Sequence, residues 1–353
     1  MRPQAFYQLP ADDLLETLCT ISDEIQGDRS KRDHMKKRFR RAHKHGHLYM
    51  DDVRTTWLYW MCVAEIYHGR YHWTGWESRS EFAHQHATDE WMLPKWDGRK
   101  GAKLFLLSEQ GLGDEILFST CLPDLLEHCP DVVWEVDDRL IPIFRRTYPQ
   151  VRFVTRYRDF SVRQPWEPFE HREALEGREC YMPAGQVPKL FRTQLPFPRD
   201  RLLKPDPDRL YYWMDRCRLQ ETIGVAWGGR LSSLAPESLL RGGGMYVNLQ
   251  YDGTRHDAVV EWPQSDLDDT FALIASLDAL HCAPITPAHM AGAVGTPCRV
   301  VRGSPIYGDE NGKEGNRLMW AWPLRRQHDW YPSVKVYNSV SEWTECWRTG
   351  SVK

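Results

Sequence analysis

Residues 104–114 read LFLLSEQGLGD, and this stretch indicates how the chain is folded. Its first four residues form a short, continuously apolar run, which is typical of a strand covered on both faces. Two glycines follow, and they allow a tight turn and a close approach to a ligand. A helix is expected next, carrying Ile116, Leu117, Leu122, Leu125 and Leu126. A helix that starts at such a loop presents free N–H groups and a positive dipole end.

The pattern of alternating strands and helices continues beyond this unit. Strands are predicted at 132–136 and 151–154, with a short helix at 139–146 between them. This β-α-β-α-β order implies a parallel sheet with right-handed crossovers. Residues 161–207 are rich in proline and charge, so we interpret them as the edge of this lobe and a linker to the next.

A second lobe with the same alternation is expected after the linker. Its predicted strands are 223–227, 246–250, 280–283 and 298–301, and its predicted helices are 208–217, 268–277, 287–294 and 341–348. Two such lobes form a crevice at the carboxyl ends of their strands. We therefore predict an α/β protein with a pair of Rossmann-like lobes, divided into a helical extension (1–98), a first lobe (99–205) and a second lobe (206–353).

Composition limits the classes to which the protein can belong. The 353 residues carry a net charge of −3, which argues against a global attraction to nucleic acid. We find no apolar run long enough for a membrane span and no apolar core of a secretion signal near residue 1. The nine cysteines include no CxxC pair, which favours reduced, buried thiols in a cytoplasmic protein. The many tryptophans and tyrosines are interpreted mainly as core residues.

The N-terminal region is predicted to contain three helices and one dense basic segment, Lys31–Lys44. The segment is interpreted either as a solvated helix face or as a contact with phosphates of a nucleic acid or another anionic surface. Nucleic acid is therefore one possible partner, and the acceptor of any reaction stays open.

Asp114 has two interpretations that its spacing does not separate. A carboxylate in the first turn of a helix is electrostatically stabilised there, so Asp114 is a candidate helix cap. It is equally a candidate general base that takes a proton from a hydroxyl group. The loop lacks a full GxGxxG pattern, and no Gly-Lys-Ser/Thr follows it, so neither a dinucleotide cofactor nor a Walker loop is supported.

Residues 286–297 read TPAHMAGAVGTP, a helix start with a proline at its beginning and small residues along its length. Its first turn can hold a diphosphate, to which His289 would add a hydrogen bond or a positive charge. The alternative is a partly buried histidine bonded to backbone. A DxD pattern at 266–268 precedes another helix, and we favour helix capping over metal binding there, so no metal site is predicted.

Together these motifs resemble a known family. The strings are GRY (69–71), GWESR (75–79), WMLPKWDG (91–98), EQGLGDEI (109–116), GVAW (224–227), NLQ (248–250), AHMAGAVG (288–295) and WYPS (330–333). They look like the join between tetratricopeptide helices and a glycosyltransferase domain in bacterial and phage proteins. Those proteins are distantly similar to the lipopolysaccharide heptosyltransferases of glycosyltransferase family 9, and the match spans residues 55–347.

This resemblance implies a GT-B-type fold and an inverting, metal-independent sugar transfer from a nucleotide-sugar co-substrate, with no further cofactor. It implies that Asp114 is the catalytic base. The donor would be bound by Gly228, Gly229, Arg230, Gln250, Thr286, Ala288 and His289. The cleft loop that faces the acceptor would comprise Glu109, Gln110, Gly111 and Gly113.

The sequence also departs from the family pattern. The family usually has Asp-Thr shortly before the histidine, where this chain has Pro284 and Ile285. The stretch 231–236 likewise lacks the usual polar and basic residues. Three hypotheses follow, which are an active glycosyltransferase, a catalytically degenerate binding protein of the same fold, and a different Rossmann-like enzyme such as an epimerase or a nucleotide-sugar hydrolase.

Overall fold

The computed structural model describes Cys62, Ile66, Gly69, Tyr71, Trp73 and Trp76, and the ranges 93–108, 111–156, 172–198, 202–229, 232–302, 321–322 and 325–350. Cys62 and Ile66, in the third predicted N-terminal helix, are helical and buried. The rest of the predicted N-terminal helices, their tetratricopeptide character and the basic segment Lys31–Lys44 lie outside the described residues. None of the helices in the described ranges has the length and apolar character that a bilayer span requires.

The first lobe contains one sheet of four parallel strands. These are β1 (Leu104–Leu107), β2 (Val132–Val136), β3 (Arg152–Thr155) and β4 (Cys180–Pro183), in the order β3-β2-β1-β4. The three predicted strands are confirmed to within a residue. Residues 161–207, interpreted as the edge of this lobe and a linker, contain the edge strand β4, which was not predicted as a strand and which is buried and pairs with β1 along its whole length. With only four residues and a terminal proline, β4 carries a weak strand signal.

Five helices in the described residues belong to this lobe. They are α1 (Leu112–Ser119), α2 (Leu122–His128), α3 (Ile141–Thr147), α4 (Arg172–Leu175) and α5 (Val187–Phe191). The single helix expected to carry residues 116–126 is in fact two, since α1 and α2 are separated at residues 120–121. Pro123 explains the break, because proline lacks the N–H that would continue the helix but is well tolerated in a first turn.

The second lobe contains a parallel sheet of five strands, which are β5 (Thr222–Ala226), β8 (Met245–Asn248), β9 (Ala279–Cys282), β10 (Cys298–Val301) and β11 (Val334–Tyr337). Their order across the sheet is β11-β10-β9-β5-β8. A small hairpin is formed by β6 (Gly228–Gly229) and β7 (Ser232–Ser233). The helices are α6 (Pro207–Cys217), α7 (Leu267–Ser276), α8 (Thr286–Val294) and α9 (Val340–Arg348). The structure confirms the predicted α/β class and the pair of Rossmann-like lobes.

The two lobes are joined by ionic and aromatic contacts. Arg146 of α3 binds Asp268 of α7 with two hydrogen bonds of 3.0 and 2.6 Å. The extension before the first lobe bridges the two lobes, since Tyr71 donates a hydrogen bond of 2.8 Å to Asp329 of the second lobe and the indole of Trp73 donates one of 2.7 Å to the carbonyl of Arg192 in the first. Both aromatic side chains are buried, in keeping with the expectation that most large aromatics are core residues.

The cysteines of the described ranges are all buried and free, as expected for reduced thiols. The nearest pair, Cys282 and Cys298 on neighbouring strands, has an Sγ–Sγ distance of 3.8 Å. This separation is roughly twice the length of a disulfide bond.

Candidate active site

The first turn of α1 carries Asp114 at its third position. One carboxylate oxygen of Asp114 accepts a hydrogen bond of 3.2 Å from the N–H of Gly111, the residue that precedes the helix. The side chain is half-buried. The helix-capping interpretation is therefore confirmed, while the role as a general base stays a prediction that this geometry permits. Glu109 and Gln110, the other members of the loop, lie outside the described residues.

Gly113 brings the first turns of α1 and α8 into direct contact. A Cβ atom at position 113 would lie 2.7 Å from Cδ2 of His289 and 3.3 Å from its Nε2. Separations this short are not seen for real Cβ atoms, so only glycine fits here without a shift of the ring. The contact places the start of the first lobe's leading helix against the predicted donor helix of the second lobe.

His289 is buried at this contact, 5% exposed, between aromatic side chains. Its Nδ1 lies 3.3 Å from the Tyr331 hydroxyl, and its ring centroid lies 4.5 Å from that of Trp322. Burial lowers the pKa of His289 to about 3, and nearby His328 contributes to the shift. The expected hydrogen-bonding role is possible, but the expected positive charge at neutral pH was wrong, because burial disfavours the charged form.

Tyr331 is held behind His289 by a buried segment that the sequence did not reveal. Nδ1 of His328 accepts hydrogen bonds from the backbone N–H groups of Trp330 and Tyr331, at 3.1 and 3.2 Å. Since Nδ1 accepts, Nε2 carries the proton and donates it to the carbonyl of Ala321 at 2.7 Å. The segment therefore fixes the ring against which His289 packs.

Gln250 and Gly228, both predicted donor-site residues, are brought together. The Gln250 amide accepts a hydrogen bond of 2.9 Å from the N–H of Gly228 and donates one of 3.2 Å to its carbonyl. Gln250 thus holds the start of the β6–β7 hairpin, which includes Gly229. Arg230, the next residue in sequence, lies outside the described residues, so its predicted phosphate contact is a proposal.

Thr286 and Ala288 lie in the first turn of α8, as predicted. Ala288 is fully buried, and its N–H donates to the carbonyl of Ile285 at 3.0 Å. Ile285 precedes the helix, and no side chain caps the helix there. With no side-chain cap and no acidic residue in the first turn, the positive end of the helix dipole suits an anion.

Tyr251 is a candidate substrate contact that sequence reasoning missed. It follows Gln250, its side chain is 60% exposed, and its hydroxyl lies 3.5 Å from Sδ of Met290 in α8. Burial of the hydroxyl end raises the pKa of Tyr251 to about 12, against the opposing charge of Arg139 from the first lobe. An exposed aromatic ring beside residues of both lobes is suited to stacking on a sugar or a base.

A buried polar cluster lies behind the first turn of α1 and was also missed. Its members are Ser108, Glu115, Glu135, Asp137 and Arg156. Three of them, Ser108, Asp137 and Arg156, directly follow β1, β2 and β3. A polar residue at the end of each apolar strand was the available sequence signal, since ends of parallel strands share one edge of a sheet.

The DxD pattern before α7 is used for structure. Asp266 caps the helix by accepting the N–H of Asp269 at 2.8 Å, and Asp268 binds Arg146. Asp269 accepts the indole N–H of Trp213 at 2.7 Å. Each carboxylate therefore has a partner within the protein, as the capping interpretation predicted. Among the described residues, no group of His, Cys, Asp and Glu side chains could hold a metal ion.

One curated relative is similar to this chain. Protein FlbA of Caulobacter vibrioides is 28% identical over 311 residues, which cover 75% of this chain and 48% of FlbA. The chain therefore spans about half the length of the curated relative it matches. No family model matches the sequence.

Several solved structures show a weak likeness in fold. Glycosyl transferase family 9 from Veillonella parvula has a TM-score of 0.40 at 11% identity, covering 71% of this chain and 90% of that one. ADP-heptose LPS heptosyltransferase II of E. coli has a TM-score of 0.41 at 12% identity, covering 70% and 99%. At scores this low, the likeness identifies no function for this chain.

Proposed function

We propose that this chain is a glycosyltransferase that moves a sugar from a nucleotide-sugar donor to an acceptor hydroxyl. The observation that carries the proposal is the contact of Gly113 with His289, which joins the first turns of α1 and α8. It puts a carboxylate, Asp114, close to an uncapped helix end that suits a diphosphate. A base and an anion site on facing lobes are what such a transfer needs.

The proposed reaction is an inverting displacement without a metal ion. Asp114 takes the proton of the acceptor hydroxyl, and that oxygen forms a bond to the anomeric carbon of the donor. The bond from this carbon to the diphosphate breaks, and its electron pair leaves with the diphosphate. The positive end of the α8 dipole stabilises the departing charge, and such an interaction contributes up to about 2 kcal/mol in a partly buried site. His289, being neutral, contributes a hydrogen bond or shape rather than charge.

The acceptor is proposed only as a class, a hydroxyl of a saccharide, a protein or a modified DNA base. The last option depends on the basic segment Lys31–Lys44, which lies outside the described residues. If that segment binds nucleic acid, affinity must fall steeply as salt is raised, because each neutralised phosphate releases counterions.

The test is release of the nucleotide, a diphosphate from UDP-, GDP-, ADP- and TDP-type sugars and CMP from CMP-type sugars, with and without EDTA. Asp114→Asn keeps an oxygen that can accept the Gly111 N–H but removes the base, so release should fall by about 10²- to 10⁴-fold without unfolding. The matched control is Asp208→Asn, which removes an exposed first-turn carboxylate from α6. Equal activity of the two variants would contradict the role of Asp114.

The second candidate is a degenerate protein that binds a nucleotide sugar without turnover. It is favoured by Pro284 and Ile285, which replace the Asp-Thr pair usual in the family. This candidate predicts binding of one nucleotide to wild-type protein together with no diphosphate release from any donor. The same panel therefore separates the two.

A further inference from the structure

Glu115 ties together three separate parts of the first lobe. Its Oε1 accepts hydrogen bonds from the Ser108 hydroxyl and, at 3.1 Å, from the Arg156 guanidinium. Its Oε2 accepts the backbone N–H of Asp137 at 2.9 Å. Because these partners follow β1, β3 and β2, one carboxylate connects the ends of three adjacent strands.

The site of Glu115 is fully buried, so an ionised carboxylate there needs compensation. The charged groups that face it are Arg156, bonded to it directly, and Asp137, which binds Arg156 at 3.3 Å and Arg139 at 2.8 Å. Glu135 lies in the same cluster and accepts the N–H of Ser108 at 3.1 Å. Burial raises the pKa of Glu115 to about 7, against the opposing effect of Arg156. An apolar side chain would fill this place at a lower cost in desolvation, which points to a role beyond packing.

The connections of Glu115 enclose the loop that carries Asp114. Its side chain binds Ser108, where the loop begins, and its backbone N–H donates to the carbonyl of Gly111 at 3.1 Å, where the helix begins. Asp114 is the neighbouring residue on the same turn. One residue therefore holds both Ser108 and the first turn of α1, which carries Asp114, at the ends of the strands.

We propose that Glu115 is a positioning residue, which fixes the loop 108–114 to the ends of the three strands and so holds Asp114 against the second lobe. This inference rests on the proposed function for its catalytic consequence. Its structural part, the fixing of the loop, does not depend on any activity. Glu115 does not itself contact the cleft, because its side chain is buried beneath the first turn.

The experiment compares Glu115→Ala and Glu115→Gln with the exposed Glu345→Gln of α9 as the control. The substrate is a nucleotide sugar that wild-type protein turns over. With it, kcat of Glu115→Ala should fall on the order of 10²-fold, while KM for the donor changes little. Displacement of a reacting group by about 1 Å has an effect of that size on the rate. Glu115→Gln keeps one acceptor oxygen and should recover part of kcat. Glu345→Gln should match wild-type protein.

A second readout needs no substrate. Amide hydrogen exchange of residues 108–115 should be faster in Glu115→Ala than in wild-type protein, with exchange in α6 unchanged. If wild-type protein releases no diphosphate from any donor, the proposed function fails, and the exchange measurement alone decides whether Glu115 fixes the loop. Unchanged exchange in a folded Glu115→Ala variant, or a kcat within about twofold of wild type, overturns the inference.

Discussion

The contact between Gly113 and His289 can be tested by adding a single methyl group. Gly113→Ala places a Cβ atom 2.7 Å from the histidine ring, a distance at which one of the two must move. Overpacking of a well-packed contact costs about 1–3 kcal/mol. Alanine also gains up to about 1 kcal/mol over glycine inside a helix. The net expectation is a loss of about 1 kcal/mol in the free energy of unfolding.

The same substitution should have the opposite sign once the ring is removed. In a His289→Ala background the added methyl meets no histidine, so only the helix preference remains and Gly113→Ala should stabilise by up to about 1 kcal/mol. The coupling free energy between the two positions is then roughly 1–3 kcal/mol, which is within the usual range for residues in contact. Urea unfolding of the four proteins of this double-mutant cycle measures it.

Gly111→Ala is the matched control for this cycle. A Cβ atom at position 111 meets only a carboxylate oxygen of Asp114, at 3.6 Å, which is an ordinary contact. Its effect on stability should therefore be the same with and without the His289 ring. If Gly113→Ala were also equal in both backgrounds, the two lobes would not meet at this point, and the geometry of the cleft would be wrong.

Three further outcomes are expected. Burial lowers the pKa values of His281, His289 and His328 below 6.5, so these side chains take up protons when the protein unfolds. The free energy of unfolding should therefore fall as pH drops from about 6.5, by roughly 2 kcal/mol per histidine at pH 5, and calorimetric proton uptake on unfolding measures this. Tyr251→Ala should weaken nucleotide-sugar binding by roughly fivefold or more, because ring contacts contribute about 1 kcal/mol. Tyr211→Ala, on the exposed face of α6, should leave binding unchanged, and calorimetric titration with the active donor measures both affinities. Arg192→Ala should lower the unfolding free energy by about 3–5 kcal/mol in urea, because it removes a buried guanidinium that donates to Asp124 at 2.9 Å and to the carbonyl of Thr120 at 2.6 Å.

Much of the fold was predictable because several of its strands, among them β1, β2 and β5, are buried on both faces. The continuous apolar run 104–107 stands out from the polar residues on either side of it, and the strand there has the predicted bounds. β4 was not predicted because four residues with a terminal proline resemble a turn as much as a strand. Pro123 marks the break between α1 and α2 in the sequence, although the leucines around it are spaced as in one continuous helix.

The candidate site was predictable where it depends on local geometry. Gly111, Asp114 and the first turn of α8 are positioned by strand–loop–helix units that the sequence itself contains. The charge of His289 was not predictable, because its burial depends on Trp322 and Tyr331, which come from a distant segment. The cluster around Glu115 likewise joins residues from three loops, and only the packing of the sheet brings them together.

A thermal-shift screen with UDP, GDP, ADP, CMP and TDP tests whether the cleft between the lobes binds a nucleotide sugar. One of these nucleotides should raise the unfolding midpoint of wild-type protein, by the equivalent of about 2.7 kcal/mol at a hundredfold excess over Kd. The shift should persist in EDTA and be lost in His289→Ala. A well-folded protein that no nucleotide stabilises, or a shift that His289→Ala leaves intact, would contradict it.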